Sequence, residues 1–398
     1  MTEKNKSVMV AGHICLDITP KFPDSLSGGF NDIFAPGKLI NVGEAVIGTG
    51  GAVSNTGLTM AKLGLDVKLN GKIGDDAFGS MIQDIVGRDR SKSFSIVPGQ
   101  SSSYSIVIAP PGLDRMFLHN PATNDTFTLD DIDYDALKDC WLFHFGYPPL
   151  MKRMYQDGGS QTAKMFKKAK DCGVITSLDM TLPDPDSDSG RIDWREMLKN
   201  TLPYVDIFLP SVEETAFMLD KELFYQRKKD AGDSDPVLAY SAADCEYLTG
   251  TLIDMGVSIA AVKKGIDGYY LQTADKIKIK GIDSAAWQSR QIWCPSYFCP
   301  KEEFASATGA GDSTIGGFLT AILYGLEPVD TLRTANILAY QNIRSMDTLS
   351  GIKDWQTTIK MARDTELEFN KVCINENGWQ FDEKTNMWHG PRDSRKTS

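Results

Sequence analysis

Five consecutive residues in the C-terminal part of the chain combine small side chains with one acid: Thr308, Gly309, Ala310, Gly311 and Asp312. Glycines let a backbone approach a ligand without a clash at the β-carbon. The unpaired N–H groups at the start of a helix carry partial positive charge and attract anions. This segment therefore predicts an anion-binding turn with a base at its edge, where a phosphate and a proton acceptor can meet.

The residues behind this turn predict a helix that holds it in place. Ile315 and Phe318 begin an apolar pattern at helical spacing, and Gly325 and Pro328 supply stop signals. We therefore expect Asp312 in the first turn of a helix. An acid at that position also stabilises the helix dipole by ~0.3–1 kcal/mol, so a purely structural role is the alternative.

Apolar runs alternate with amphipathic stretches along much of the chain, which predicts βα units around a mainly parallel sheet. The expected strands are residues 8–14, 66–69, 141–145, 174–179, 207–210 and 259–263, and the expected helices are residues 52–63, 161–170 and 241–255. Ligands bind such sheets at the carboxyl ends of the strands. Asp17, Asp179, Ser211 and Gly265 fall at those ends, so we expect the site there.

Three regions depart from this alternation. Residues 103–119 predict a hairpin that, with residues 22–44, forms a small sheet projecting from the main body. Residues 224–240 are rich in Lys, Asp and Gly and predict a surface excursion. The residues after Arg363 have weak periodicity, although the two tryptophans among them indicate that part of this tail packs on the body.

Composition limits the classes of partner. The 398 residues are 41% hydrophobic, which is ordinary for a globular protein, and 53 acids against 42 Lys and Arg give a net charge of −11. That balance argues against nucleic acid or an anionic membrane as a partner. No apolar signal-like segment follows the first lysines, and no apolar run approaches the ~18 residues of a membrane span. We expect a cytoplasmic protein.

The cysteines and histidines predict neither disulfides nor a metal centre. Seven cysteines are scattered without a Cys-x-x-Cys pair, as in a protein of a reducing compartment. The histidines are His13, His119, His144 and His389, and all four stand isolated in the sequence. No cluster of His, Cys and carboxylates has the spacing of metal ligands.

Several of these segments together resemble the ribokinase-like (PfkB-type) carbohydrate kinase family. Residues 308–312, with a glycine pair one turn later, look like its C-terminal signature. Residues 50–55 resemble its N-terminal diglycine motif, and residues 72–79 resemble the block that follows. The matches come in family order from residue 8 to about residue 351. The resemblance implies a three-layer α/β/α domain with a central, mainly parallel sheet and a small β-sheet lid.

The resemblance also implies a domain organisation. The kinase domain would cover residues 1–363, with lid segments inserted at about residues 18–47 and 100–127. Residues 364–398 would form a C-terminal extension. Members of the resembled family often dimerise by pairing these small sheets, so a homodimer through the lid is a further expectation.

The activity implied by the resemblance is transfer of the γ-phosphate of ATP to a hydroxyl of a small sugar or sugar acid. Asp312 would act as the general base that takes the proton of the acceptor hydroxyl. The backbone N–H groups of Gly309, Ala310 and Gly311 would form an anion hole for the phosphate. The nucleoside kinases of the same fold, and an inactive relative that binds sugar or nucleotide as a scaffold or sensor, are the alternatives.

The acceptor residues implied by the resemblance are Asp17, Gly50, Gly51 and Asn55. A carboxylate and an amide both suit the hydroxyls of a polyol. Either residue type also caps helices, which is the alternative for Asp17 and Asn55. The glycine pair would be a hinge between body and lid, or else a simple turn. Arg115 could pair with an acidic substrate or be a surface charge.

The resemblance places magnesium near Glu214. Residues 211–214 match an Asn-x-x-Glu motif in which Ser211 replaces the Asn, and Glu214 would organise Mg²⁺ indirectly. The same Ser-x-x-Glu spacing fits a helix capping box. Many relatives carry an Asp as a ligand for a monovalent cation where this chain has Ser306. Loss of that carboxylate weakens a potassium site.

The nucleotide contacts implied by the resemblance are Thr308, Gly265, Gly268, Asn336 and Lys263. Lys263 and Lys264 could equally form a solvated strand end. A dinucleotide fingerprint fails at both glycine-rich turns, because Val53 and Thr314 stand where its third Gly belongs. Neither turn ends in the Gly-Lys-Ser/Thr of a phosphate-binding loop of the Walker type.

Overall fold

The computed structural model describes residues 6–26, 28–112 and 116–395. The strands are β1 (Ser7–Gly12), β2 (Cys15–Pro20), β3 (Ala45–Gly50), β4 (Asp66–Asn70), β5 (Lys72–Gly74), β6 (Ser95–Val97), β7 (Tyr104–Ile108), β8 (Met116–Asn120), β9 (Leu142–Gly146), β10 (Ile175–Asp179), β11 (Ile207–Phe208), β12 (Ile259–Lys263), β13 (Tyr269–Thr273), β14 (Gln291–Cys294), β15 (Gln380–Asp382) and β16 (Met387–His389). The α-helices are α1 (Phe30–Ile33), α2 (Ala52–Lys62), α3 (Ala77–Val86), α4 (Tyr134–Leu137), α5 (Lys152–Asp171), α6 (Trp194–Thr201), α7 (Val212–Leu219), α8 (Lys221–Ala231), α9 (Ala242–Asp254), α10 (Ser284–Trp287), α11 (Ala310–Leu323), α12 (Pro328–Asn342) and α13 (Trp355–Ala362).

The main sheet has ten strands in the order β15-β16-β14-β13-β12-β11-β10-β9-β1-β4. The six strands from β12 to β4 run parallel, and β13, β14, β16 and β15 continue the sheet in antiparallel pairs. The expectation of a central, mainly parallel sheet is confirmed. β12 has the predicted bounds, and the other predicted strands differ from the observed ones by one or two residues at their ends.

Helices cover both faces of this sheet because its strands are apolar on both sides. Along β1, Met9 and Ala11 pack into one buried cluster with Phe143 and Phe166. Val8 and Val10, which alternate with them along the strand, pack into a second cluster on the other face. Since successive side chains of a strand point to opposite faces, one continuous apolar run supplies both cores. The result is the expected three-layer α/β/α arrangement.

A separate four-stranded sheet has the order β3-β2-β7-β8. β7 and β8 pair antiparallel, which confirms the predicted hairpin, and β2 lies between β3 and β7. Asp17 lies within β2 opposite Gly48, so it belongs to the small sheet and does not end a strand of the main sheet as expected. The chain turns at Gly12 and starts a second strand before it reaches Asp17. Arg115 lies outside the described residues.

The segment 224–240 lies largely at the surface, as its composition predicts, but it is helical and anchored to the body. Its first part continues α8, and the Phe224 and Tyr240 side chains are buried. The Phe224 ring packs edge-on against Phe217, with the ring centroids 5.2 Å apart. A few apolar residues at suitable positions anchor the segment, although polar residues dominate its composition.

The tail packs on the body, as its tryptophans indicate. The Trp379 ring lies 5.8 Å from Tyr270 and 6.5 Å from Trp293, measured between ring centroids. Arg290 and Asp393 form a buried ion pair with a nitrogen to oxygen distance of 2.8 Å. All seven cysteines are free thiols. No helix in the described part of the chain has the length and apolar character of a membrane span.

Candidate active site

The small-residue turn opens α11, as predicted. Gly309 precedes the helix in the left-handed conformation, at φ +76°. A β-carbon on Gly309 would lie only 2.5 Å from Cγ2 of Thr348, so both the backbone angle and the packing require glycine here. Asp312 is the third residue of the helix and lies in its first turn. The carboxyl therefore lies beside the unpaired N–H groups of the helix start.

The Asp312 carboxyl is buried and accepts hydrogen bonds from three side chains. Asn55 Nδ2 donates to Oδ2 at 2.9 Å, while Tyr147 Oη and Thr56 Oγ1 donate to Oδ1 at 2.9 Å and 3.3 Å. Burial raises the pKa of Asp312 above the ordinary carboxyl value, and the hydrogen bonds from Asn55 and Tyr147 oppose that rise. The carboxyl is thus held in a fixed orientation with a raised affinity for protons.

Tyr147 is a site residue that the sequence reasoning missed. It directly follows β9 and adopts φ +67°, a left-handed conformation that is uncommon for a residue with a side chain. Burial and the neighbouring Asp312 hold the pKa of its phenol well above the ordinary value, so the hydroxyl stays protonated and donates. Its place just beyond a predicted strand was the available signal, because ligand-binding residues cluster at those ends.

Lys263 joins a buried charge cluster beside the anion-binding turn. Its Nζ lies 2.8 Å from Oδ1 of Asp179 and 2.8 Å from the carbonyl oxygen of Leu209. A β-carbon on Gly311 would lie 4.0 Å from the same Nζ, so the ammonium lies next to the turn. Burial raises the pKa of Asp179 to about 8 against the pull of Lys263, and Glu214 and Asp312 add to the rise.

Neither lysine at the end of β12 is a solvated surface charge, so that alternative is wrong. Lys263 is engaged in the cluster, and only 1% of Lys264 is exposed. Lys264 forms an ion pair with Asp267 at 3.1 Å, and its Nζ lies 4.7 Å from the centre of the Trp293 ring.

Glu214 and Ser211 form the capping box that was the alternative interpretation. The Ser211 backbone N–H donates to Oε2 of Glu214 at 2.6 Å, and the Glu214 N–H donates to Oγ of Ser211 at 3.2 Å. This pair starts α7. Burial raises the pKa of Glu214, while Lys263 opposes that rise and Asp312 adds to it. Glu214 therefore caps a helix and also belongs to the charge cluster.

The glycine pair permits two close contacts where the small sheet meets the body. A β-carbon on Gly50 would lie 2.3 Å from Oδ2 of Asp17, so the carboxyl of Asp17 occupies the space that a larger residue would need. Gly51 has φ +89°, and its β-carbon would lie 2.5 Å from the carbonyl oxygen of His13. Burial raises the pKa of Asp17. Gly51 is required by its backbone angle and by packing, whereas a larger residue at Gly50 would displace the Asp17 carboxyl.

The expectation that all histidines are isolated is wrong for two of them. Nε2 of His13 lies 3.4 Å from Nε2 of His119, although 106 positions separate them in the chain. Cys15 belongs to the same cluster. Burial, with a smaller effect of His119, lowers the pKa of His13 to about 3. The pairing of β2 with β7, and of β7 with β8, brings these distant residues together.

The residues expected near the nucleotide fall into two groups. A β-carbon on Gly268 would lie 2.1 Å from the carbonyl oxygen of Cys294, and Nδ2 of Asn336 donates to that same oxygen at 3.2 Å. Gly265 opens the short turn that precedes Gly268. The Asn336 amide nitrogen is thus committed to the backbone beyond β14.

Thr308 forms the second group and directly precedes Gly309, at the turn that opens α11. Its backbone N–H donates to Oγ of Ser306 at 3.1 Å. Ser306 is buried, and its hydroxyl holds the loop that leads into α11.

Solved structures identify the fold as ribokinase-like. The ribokinase of Arabidopsis thaliana, solved with ribose and ATP, matches with a TM-score of 0.66 and 17% identity, over 91% of this chain and 100% of that one. The fructokinase of Xylella fastidiosa with bound ATP matches with a TM-score of 0.66 and 14% identity, over 90% and 98%. An E. coli protein assigned as ribokinase II, solved with ATP and Mg²⁺, matches with a TM-score of 0.63 and 20% identity, over 90% and 98%.

The sequence specifies the family within this fold. Residues 5–355 match the profile of the pfkB family carbohydrate kinases, and the chain belongs to that family of phosphotransferases. It is 24% identical to an uncharacterized sugar kinase of Archaeoglobus fulgidus, over 74% of this chain and 97% of that protein. It is 29% identical to Probable fructokinase-6, chloroplastic, of Arabidopsis thaliana, over 73% and 67%. The resemblance inferred from the motifs is confirmed.

Proposed function

We propose that this carbohydrate kinase transfers the γ-phosphate of ATP to a hydroxyl of a small sugar or sugar acid, with Asp312 as the general base. The observation that carries the proposal is the place of Asp312: a buried carboxyl in the first turn of α11, fixed by donors from three side chains. Its raised proton affinity suits removal of a hydroxyl proton during attack on the phosphate. The backbone N–H groups of Gly309, Ala310 and Gly311 would stabilise the charge of the transferred group.

The acceptor would bind between Asp17 and Asn55. Asn55 supports this placement because its amide already donates to Asp312 at 2.9 Å. A hydroxyl that Asn55 holds would therefore lie next to the base. Gly50 and Gly51 permit the close approach of the small sheet to the body at this point.

The nucleotide would bind on the other side of Asp312, near Lys263 and the turns at Gly265, Gly268 and Thr308. Asn336 would support this region from α12, since its amide holds the backbone next to Gly268.

Mg²⁺ would be organised indirectly by Glu214, whose carboxylate oxygens are ligands of the type that this ion prefers. The ion would neutralise phosphate charge. The Ser306 hydroxyl replaces a carboxylate, so the potassium activation of relatives is not carried over to this chain.

The small sheet would serve as a lid and as a dimer interface. Its two edge strands expose apolar side chains: Val46 on β3 is 64% exposed, and Phe117 and Leu118 on β8 are 58% and 57% exposed. A second copy of the chain would cover them. Light scattering should find a dimer for the wild type and a monomer for Phe117→Asp.

Free thiols at all seven cysteines favour a reducing compartment such as the cytoplasm.

The test of the activity is ATP consumption with a panel of sugars, sugar acids and nucleosides. Asp312→Asn should lower kcat by about 10²- to 10⁴-fold, because the general base is lost. Asp330→Asn is the matched control, since Asp330 also lies in the first turn of a helix but in α12. If the wild type binds an acceptor and ATP but consumes neither, the proposed activity is wrong and a binding role replaces it.

A further inference from the structure

A cluster of metal-binding side chains lies where the small sheet meets the body. His13, Cys15 and His119 each offer one ligand atom, and these atoms lie within 4.8 Å of one another. His13 and Cys15 flank the turn from β1 into β2, while His119 lies on β8. The ligands therefore come from the body and from the far edge of the small sheet. The pfkB kinase chemistry proposed above uses none of the three.

The spacing of the two imidazole nitrogens matches a tetrahedral site. Two imidazole nitrogens bound to one Zn²⁺ at about 2.0–2.1 Å with a tetrahedral angle lie roughly 3.4 Å apart. Nε2 of His13 and Nε2 of His119 lie 3.4 Å apart. A thiolate at about 2.3 Å from the same ion lies roughly 3.6 Å from each nitrogen, and the ligand atoms of the three residues lie within 4.8 Å of one another, so a side-chain adjustment would bring Cys15 into the set.

The surrounding groups orient the ligands. Oγ of Ser105 lies 2.9 Å from Nδ1 of His119, which leaves Nε2 directed at the cluster. A hydrogen bond on the second ring nitrogen is the usual support of a metal-bound histidine. Nδ1 of His13 is buried without a hydrogen-bond partner among the described residues. Within the described part of the chain, the polar contact of that ring is the one through Nε2.

We propose that His13, Cys15 and His119 bind a divalent ion of the zinc type and that this ion regulates the kinase. One sulfur and two nitrogens favour Zn²⁺ over Mg²⁺, which prefers oxygen ligands. The Mg²⁺ that accompanies ATP would thus not compete. The partly exposed His119 gives the ion a path from solvent.

The bound ion would act on the acceptor site, a consequence that rests on the proposed function. It would fasten β8 to the turn after β1 and so fix the small sheet against the body. It would also draw the Cys15 sulfur away from Oδ1 of Asp17, to which the thiol donates at 3.3 Å. Zn²⁺ should therefore raise the KM for the sugar at least severalfold with little change in the KM for ATP.

Cobalt titration tests the site without any kinase assay. The full chain, stripped of metal and free of ATP and Mg²⁺, is titrated with Co²⁺, which absorbs light in a way that reports thiolate ligation. We expect one equivalent to bind with a thiolate-to-cobalt band that Zn²⁺ then removes. Cys15→Ser should abolish the band, and Ser105→Ala should weaken binding about 10- to 100-fold through loss of the support to His119. Cys373→Ser, which removes an exposed thiol elsewhere, should leave the band intact.

The outcomes separate this proposal from the proposed function. A wild type without the band, or a band that survives in a folded Cys15→Ser variant, would overturn the metal site. His119→Gln provides a second variant on a strand at the edge of the sheet, and retained full affinity there would also count against it. A band in a protein that phosphorylates no sugar would keep the site and reject only the kinase proposal.

Discussion

The phenol of Tyr147 donates a hydrogen bond to Oδ1 of Asp312 at 2.9 Å, and this contact joins residues 165 positions apart. It links the end of β9 to the first turn of α11. Asn55 donates to the other carboxyl oxygen, so the two donors fix the rotation of the carboxyl from both sides. Tyr147 is thus a positioning residue for the proposed base.

Tyr147→Phe should lower kcat about 10-fold or more while the KM for ATP changes little. A hydrogen bond to a charged group contributes about 1.5–3 kcal/mol, and its loss frees the Asp312 carboxyl to rotate. Since this bond lowers the pKa of Asp312, its removal should also move the acid side of the rate profile to higher pH. Steady-state kinetics across pH measure both effects. Tyr270→Phe is the control, because that buried phenol contacts Gln291 in the core. An unchanged kcat and profile would remove Tyr147 from the mechanism.

As the pH is lowered, the rate of wild-type catalysis should begin to fall at a pH above the range in which an ordinary carboxyl group titrates. Burial raises the pKa of Asp312, and the base is active only when deprotonated. The active form is therefore present above the raised pKa and is lost as pH falls through it. An unperturbed Asp would titrate near pH ~4. Measurement of kcat/KM from about pH 4 to 9 checks this, and a profile that stays flat down to about pH 4 would contradict it.

Gly50→Ala should weaken binding of the acceptor sugar and leave binding of the nucleotide unchanged. The new methyl group would lie 2.3 Å from Oδ2 of Asp17, so that carboxyl must move. We expect the KM for the sugar to rise at least 10-fold and the KM for ATP to stay within about twofold. Gly48→Ala is the matched control on the same strand, because nothing lies within 4 Å of its added β-carbon. Equal effects of the two substitutions would argue against a role of Asp17 in sugar binding.

Lys263→Met should change how stability depends on pH. The ammonium lowers the pKa of Asp179, which is still about 8 because of burial, so its removal raises that pKa further. The folded variant then keeps a proton that the unfolded chain has lost. Its free energy of unfolding should continue to fall above about pH 8, by up to about 1.4 kcal/mol per pH unit, where the contribution of Asp179 in the wild type levels off.

Urea denaturation at several pH values measures this difference. In Lys263→Met/Asp179→Asn the Asp179 carboxyl is absent, so the part of the additional slope that it causes should vanish and only the part due to Glu214 should remain. Parallel stability curves for Lys263→Met and the double variant would show that Asp179 does not titrate in this range.

The elements with local signals could be predicted from the sequence. The strand Ile259–Lys263 has its predicted bounds, and the helix expected over residues 52–63 ends one residue earlier, at Lys62. The start of α11 was predictable because glycines, an acid and a helical apolar pattern occur together. These features depend on the conformational preferences of neighbouring residues, which the sequence displays directly.

Contacts between distant residues could not be predicted in the same way. His13 was expected to stand alone, and its contact with His119 depends on the strand order of the small sheet. Lys263 and Lys264 were open to interpretation as solvated charges, because the acids and carbonyls that hold them come from other elements. A single sequence shows which residues can do chemistry, and the packing of its elements decides which of them meet.

The C-terminal strands cover an edge of the main sheet that could otherwise pair with another molecule. β16 pairs with β14, and β15 completes the sheet with only three residues. An uncovered β14 would offer a row of unpaired backbone groups to any other chain. By covering β14, the segment after residue 363 prevents that strand from pairing with a strand of another chain. A shortened chain could keep the anion-binding turn of α11 intact and still be lost to aggregation.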